Sequence, residues 1–159
     1  MAKAGQTLDV TKQYYCLDFW GDYQEEVQIT TVATDISLPS VTVSNLPSSI
    51  NIVRVVGMFK CRMIENTNAT ANKLSGSQNI QVRKATTGTW TNAIGLVDDL
   101  FGIAALTRES GDVLIGGTDI SGEVSSNNAY NTQWASALAD VGNLNFNDVQ
   151  VGLRVWYYI

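Results

Sequence analysis

Histidine does not occur among the 159 residues, which removes the commonest general base at neutral pH and the commonest metal ligand together. Most hydrolase mechanisms lose their usual proton carrier. Cysteine is almost as scarce. Cys16 and Cys61 each sit in a strongly apolar run and read as small buried hydrophobes, with a mutual disulfide unforced. Charged residues make up 16% of the chain, against the usual quarter or so. Thr, Ser, Asn, Gln and Gly fill the gap, which is a β-protein composition. No apolar run approaches the roughly 18 residues that a membrane helix requires, and Met1 to Thr7 lacks the apolar core of a signal peptide. A soluble protein is expected, with no membrane partner. Fifteen acidic against ten basic residues give a net charge of −5, so a nucleic-acid backbone meets no overall attraction. Direct nucleic-acid binding is not expected.

What is present is strand after strand. Residues 1–11 are small, polar and without period, and read as a flexible arm, leaving 12–159 as a single β-sandwich domain. Tyr14, Tyr15, Cys16, Leu17, Phe19 and Trp20 form a β-prone run that stops at Gly21-Asp22. Val27, Ile29 and Thr31 alternate with Gln28 and Thr30. Ile36 to Leu38 and Val41 to Val43 flank Pro39, which suits an edge strand or extended loop. From Ile50 to Ile64 apolar side chains fall on both faces, as in a central strand covered twice, with a bend at Gly57. Glu65 to Gln78 has no period and predicts a long exposed loop. Short strands follow around Ile80 and Val82 and around Val113 and Ile115. Val149, Val151, Leu153, Val155, Tyr157 and Ile159 then alternate strictly with Gln150, Gly152, Arg154, Trp156 and Tyr158.

Two segments change period. Trp90, Ile94, Val97 and Phe101 predict a helix with one buried stripe, capped by Thr89. Trp134, Leu138 and Val141 predict a second, with Asn131 at its start and Gly142 at its end. Seven or eight strands with two short inserted helices describe a mainly β fold, an antiparallel β-sandwich or, more specifically, a jelly roll.

Candidate chemistry is sparse. Glu25 with Glu26 and Asp98 with Asp99 are adjacent pairs, and adjacent carboxylates diverge on a strand or a helix, so neither makes a catalytic dyad. Gly111-Asp112 and Gly116-Gly117-Thr118-Asp119 lack the ligand spacing of a calcium loop and read as structural turns. No phosphate loop or dinucleotide fingerprint occurs. No catalytic residue, metal ligand or cofactor is assigned. The aromatics carry more information. Tyr14, Tyr15, Phe19, Trp20 and Tyr23 near one end, with Trp156 and Tyr158 near the other, exceed what one strand face needs. These seven are the candidate interface residues. Outward aromatics either anchor a neighbouring subunit or stack on sugar rings, and the alternative is packing beneath their own loops.

A histidine-free β-sandwich with a polar arm, long Asn/Thr/Ser loops and a closing strand Asp148-Val149-Gln150-Val151-Gly152-Leu153-Arg154-Val155-Trp156-Tyr157 resembles the small virion structural proteins of tailed phages and other viruses. The resemblance implies a non-enzymatic capsid or decoration subunit, made in the host cytoplasm and resident in the virion. Its partners would be further copies of itself and other particle proteins. A tail tube or fibre component is one alternative, and a carbohydrate-binding, lectin-like sandwich is another, with a glycan as partner. The acidity suits the outside of a shell, since Lys3 and Lys12 alone cannot neutralise packaged genome.

Overall fold

The computed structural model of the protein describes residues 11–68, 70–96, 106–109 and 113–159, the segment 106–109 by its strand pairing alone. The expected arm at 1–11 lies outside these residues except for Thr11. Among the described residues eleven strands are formed: β1 Tyr14–Trp20, β2 Gln24–Ile29, β3 Thr34–Val43, β4 Asn51–Lys60, β5 Met63–Asn66, β6 Gln78–Lys84, β7 Thr91–Leu96, β8 Leu106–Glu109, β9 Leu114–Ile115, β10 Asn128–Ala137 and β11 Leu144–Tyr158. All their pairings are antiparallel.

The fifteen residues of β11 organise the larger, seven-stranded sheet. The C-terminal half of β11 pairs with β1 on one side and β4 on the other, and its N-terminal half pairs with β2 and β5. Thus β1 with β2, β4 with β5, and β9 with β8 each fill one strand position. The sheet reads β1/β2, β11, β4/β5, β9/β8, and the second sheet reads β3, β10, β6, β7. The first strand position lies beside the last and the second beside the next to last, and successive positions alternate between sheets except β6 and β7, which pair as neighbours in the smaller sheet. That winding is a jelly roll with eight strand positions.

Three neighbouring positions of the larger sheet, β1/β2, β11 and β4/β5, change at one level, which Asp148 marks. Asp148 holds φ at 53°, a left-handed kink across which the inward side chains change parity, while the register to β2 and to β5 and β4 stays unshifted. Before it Leu144 and Phe146 face the core; after it Val149, Val151, Leu153, Val155 and Tyr157 do. The neighbours break to match. The Gly21 amide donates to the Val151 carbonyl (2.9 Å) and the Arg62 amide to the Asn147 carbonyl (2.9 Å). The Gln150 side-chain amide donates to the Gly21 carbonyl at 2.7 Å. β3 crosses here so closely that a Cβ on Gly21 would stand 2.8 Å from the Ser40 carbonyl oxygen.

One core joins the two sheets. Trp134 at its centre is met edge-on by Phe59 (5.6 Å between centroids) and Phe146 (5.0 Å). Its indole N–H donates to Gln78 Oε1 at 2.8 Å. The same oxygen accepts from the Leu138 amide, and Gln78 Nε2 donates to the Leu138 and Ser75 carbonyls. A buried amide is tolerated because each of its polar atoms is partnered.

The two expected helices are corrected: no helix occurs among the described residues. Thr91 to Leu96 is strand β7, and a bulge opposite Ile80 and Gln81 leaves consecutive Ala93 and Ile94 both facing inward. That extra residue converts a period of two into the spacing read as helical. The remainder of the predicted helix, 97–105, lies outside the described residues. Trp134 belongs to β10, where Tyr130, Thr132 and Trp134 face inward at strict alternation until a bulge around Ser136 brings Ala137 in. Asn131 caps nothing and instead donates from its side chain to the Ala85 carbonyl. Gly142 takes φ of 100°, but in the turn before β11. The loop expected at 65–78 is also not simply exposed: it begins in β5, Asn66 and Asn72 are buried, and fully buried Leu74 bridges Ala139. Cys16 is exposed rather than buried, Cys61 is buried, and no disulfide joins them.

Replacing Trp134 by Ala is expected to lower the unfolding free energy by about 3–5 kcal/mol through the cavity it leaves. Gln78→Leu, nearly equal in volume, should cost about 2 kcal/mol or more because the indole N–H and the Leu138 groups lose their partners. Urea titrations test both, and an unshifted midpoint for Gln78→Leu would refute the role given to that amide.

Candidate interaction surface

Strand pairing arranges the outward side chains of the larger sheet in rows that cross β1, β11 and β4. Tyr14 stands opposite Tyr158, Cys16 opposite Trp156, Asp18 opposite Arg154 and Trp20 opposite Gly152, with Arg54, Val56, Met58 and Lys60 alongside on β4. Alternation alone dictates this face, since the inward residues of the same strands fill the core.

The first row is aromatic. Tyr14 and Tyr158 meet edge to face at 5.6 Å, and Lys12 Nζ lies 4.0 Å over the Tyr158 ring. Two rows on, Arg154 grips Asp18 with two parallel bonds, Nε to Oδ1 at 2.7 Å and the terminal nitrogen to Oδ2 at 2.8 Å. The pair is about a third exposed (30% and 34%), so it orients the guanidinium more than it stabilises the fold. In the last row Trp20 lies flat on Gly152, where a Cβ would stand 2.7 Å from the indole and 3.0 Å from the Met58 methyl. Only glycine lets the indole descend. Lys60 Nζ then sits 4.5 Å over Trp20 and 5.7 Å from the Tyr23 ring, a cation held between two aromatic faces. Val56 and Met58 are buried beneath this face and apart from the cluster between the sheets.

Of the seven candidate residues, Tyr14, Trp20, Trp156 and Tyr158 share this outward face, and Tyr23, 60% exposed, stands beside Lys60. Tyr15 and Phe19 point the other way. They pack against the core, Tyr15 stacked on Tyr157 at 5.3 Å. Lys60 and the Asp18–Arg154 pair were not anticipated. The signal for the cation was the alternation itself, which sets Lys60 and Arg154 at outward positions, but the partner of Arg154 lies 136 residues away.

The remaining carboxylates do other work. Asp119 accepts the Val55 and Ser121 amides, as a structural turn does, and Asp148 pairs with Arg62. Glu26 and Glu65 line an open polar cleft of about 620 Å³ beyond the break. Asp98, Asp99 and Asp112 lie outside the described residues. Among the described residues no group of three acidic or thiol side chains could hold a metal ion.

The smaller sheet presents a different outer surface. Gln133 donates to Gln81 (2.7 Å) and Gln81 to Asn92 (2.8 Å), a chain of amides across β10, β6 and β7. Next to it the Arg83 guanidinium lies 4.4 Å over the Trp90 ring. No family model, curated protein or solved structure matches this chain.

Partial burial pushes the Cys16 thiol up, and the Asp18 carboxylate pushes it further against the opposing pull of Arg154. Although exposed, the thiol should therefore alkylate slowly at pH 7–8 and faster as pH rises. Asp18→Asn removes a raising influence and should speed iodoacetamide labelling several-fold at pH 8. A pH–rate profile displaced to higher pH in that variant would contradict the assignment.

Proposed function

We propose that the protein is a non-enzymatic structural subunit of a virus or phage particle, a capsid or decoration protein that associates with copies of itself and with other particle proteins. The observation that carries this reading is the outward face of the larger sheet, where Tyr14, Trp20, Tyr23, Trp156 and Tyr158 stand together, interleaved with Lys12, Lys60 and Arg154. Aromatic and arginine anchors are what protein interfaces concentrate at their centres. The jelly roll supports the reading by fold-level analogy, since viral capsid and lectin domains both use it. A net charge of −5 favours a place outside a shell, or in a tail tube or fibre, over contact with genome.

Light scattering after size exclusion, with negative-stain imaging, tests this. The expected result is oligomers, rings or shells. Trp156→Ala or Tyr158→Ala should raise the concentration for half-assembly tenfold or more while leaving the melting temperature within a few degrees. A wild-type chain that stays monomeric at high concentration and binds no particle would overturn the proposal.

A second reading, a glycan-binding jelly roll, draws on the smaller sheet. The amide chain Asn92–Gln81–Gln133 keeps unused donors and acceptors beside the Trp90 ring, and ring faces with convergent amides suit sugar hydroxyls. A glycan array should then show binding that Trp90→Ala abolishes, and silence with the wild type would end this reading.

A further inference from the structure

The jelly roll leaves strand edges unpaired, and an unpaired edge is a template for another chain unless something blunts it. Most edges among the described residues are blunted. β3 carries Pro39 and pairs with β10 through two irregularities of register. β2 presents Glu25 and Glu26, both exposed. β7 has a bulge, and its Ala93 carbonyl lies close against Gly116 of the opposite sheet. β9 is two residues long. The middle of β1 has none of these devices. Tyr15 to Phe19 contains no proline, glycine or lysine, pairs with β11 in unbroken register, and pairs with no other strand among the described residues.

Its centre is unusual in a second way. Leu17 is on the inward face, opposite Val155, yet it is 39% exposed. The core thus leaves a leucine partly uncovered at the edge of the larger sheet. A charged gatekeeper would be expected at such a place.

We infer that two copies of the protein join edge to edge by antiparallel pairing of β1 with β1 of the second copy, about a two-fold axis through Leu17. The inference rests on the self-association proposed above and names the element responsible. The pattern of β1 is self-complementary in this register. Leu17 faces Leu17 of the second copy, and Tyr15 faces its Phe19, both on the inward side. On the outward side Cys16 faces its Asp18, and Tyr14 its Trp20. Aromatic and aliphatic cross-strand pairs stabilise antiparallel ladders, and like charges directly opposite would oppose them. This register sets Asp18 opposite a thiol. Because Asp18 already shares two bonds with Arg154, it brings no unpaired charge to the contact. A two-fold pairing uses one surface twice and closes as a dimer. It also joins the two outward aromatic faces into one continuous sheet surface.

The register makes a chemical test. Paired residues across an antiparallel ladder stand roughly 4.5–5.5 Å apart between Cα atoms, within reach of a disulfide, whereas diagonal neighbours stand about 7–8 Å apart. Leu17→Cys in a Cys16→Ser background should therefore give a covalent dimer on mild oxidation. Cys16 in the wild type, diagonal to its counterpart, should not, and neither should Glu25→Cys in the same background. Leu17→Lys, which sets two ammonium groups face to face on the axis, should weaken association at least tenfold by sedimentation velocity with an unshifted melting temperature. If the wild type associates, and neither the cross-link nor the Leu17→Lys effect is seen, the β1 pairing is wrong while self-association stands. If the wild type is monomeric at about 100 μM, both proposals fall. The cross-link decides the matter should Leu17→Lys impair folding.

Discussion

The hydrogen-bond ladder on either side of β11 is the constraint on which the larger sheet depends. Four other strands of that sheet have β11 as a neighbour, and the left-handed kink at Asp148 decides which of its side chains fill the core. Without that residue in a left-handed conformation, either Leu144 and Phe146 or the row from Val149 to Tyr157 would face the wrong way. The matching breaks at Gly21 and at Cys61-Arg62 lie at the same level, and Ile64 and Cys61 change parity together with β11, so these strands keep their register through the step. An ion pair between Arg62 and Asp148 spans the break on its outer side, and Gln150 ties it to Gly21.

The same alternation that loads the core also composes the outer face. Tyr157 and Val155 go inward, so Trp156 and Arg154 must go outward, and β1 repeats the arrangement in register. The distribution of cations follows a chemical logic. Lys12 and Lys60 lie over rings, and Arg154 is held by Asp18, so each of these cations already has a ring or a carboxylate beside it. Side chains already ordered against one another lose less freedom on docking than free ones would. The smaller sheet is built otherwise: its outer amides bond to each other across three strands, giving a neutral, hydrogen-bonding surface.

Much of the fold is legible in the residues. Strict alternation from Val149 onward, apolar runs on both faces of 50–64 and the proline at 39 identify strands and their place in the sheet. Short strands with frequent turns point to seven or eight strands in an antiparallel sandwich or jelly roll. What alternation cannot reveal is a bulge, which adds one residue and imitates a helical step; β7 and the end of β10 were misread for that reason. The outward aromatics were identifiable as surplus, but their sorting was not. Tyr15 and Phe19 differ from Tyr14 and Trp20 only in parity, and parity has no sign until the partner strand fixes which side is the core. Contacts such as Asp18 with Arg154 join opposite ends of the chain and depend wholly on topology.

The late position of β11 along the chain has a consequence for synthesis. A ribosome makes the other ten strands first, and neither half of the larger sheet can close around a strand that has not yet emerged. Pairings between distant segments also form slowly, which lengthens the wait. The aromatic rows exist only where β1, β11 and β4 lie side by side, so a nascent chain carries the residues of that surface without the surface itself. That surface is therefore a property of the completed jelly roll alone.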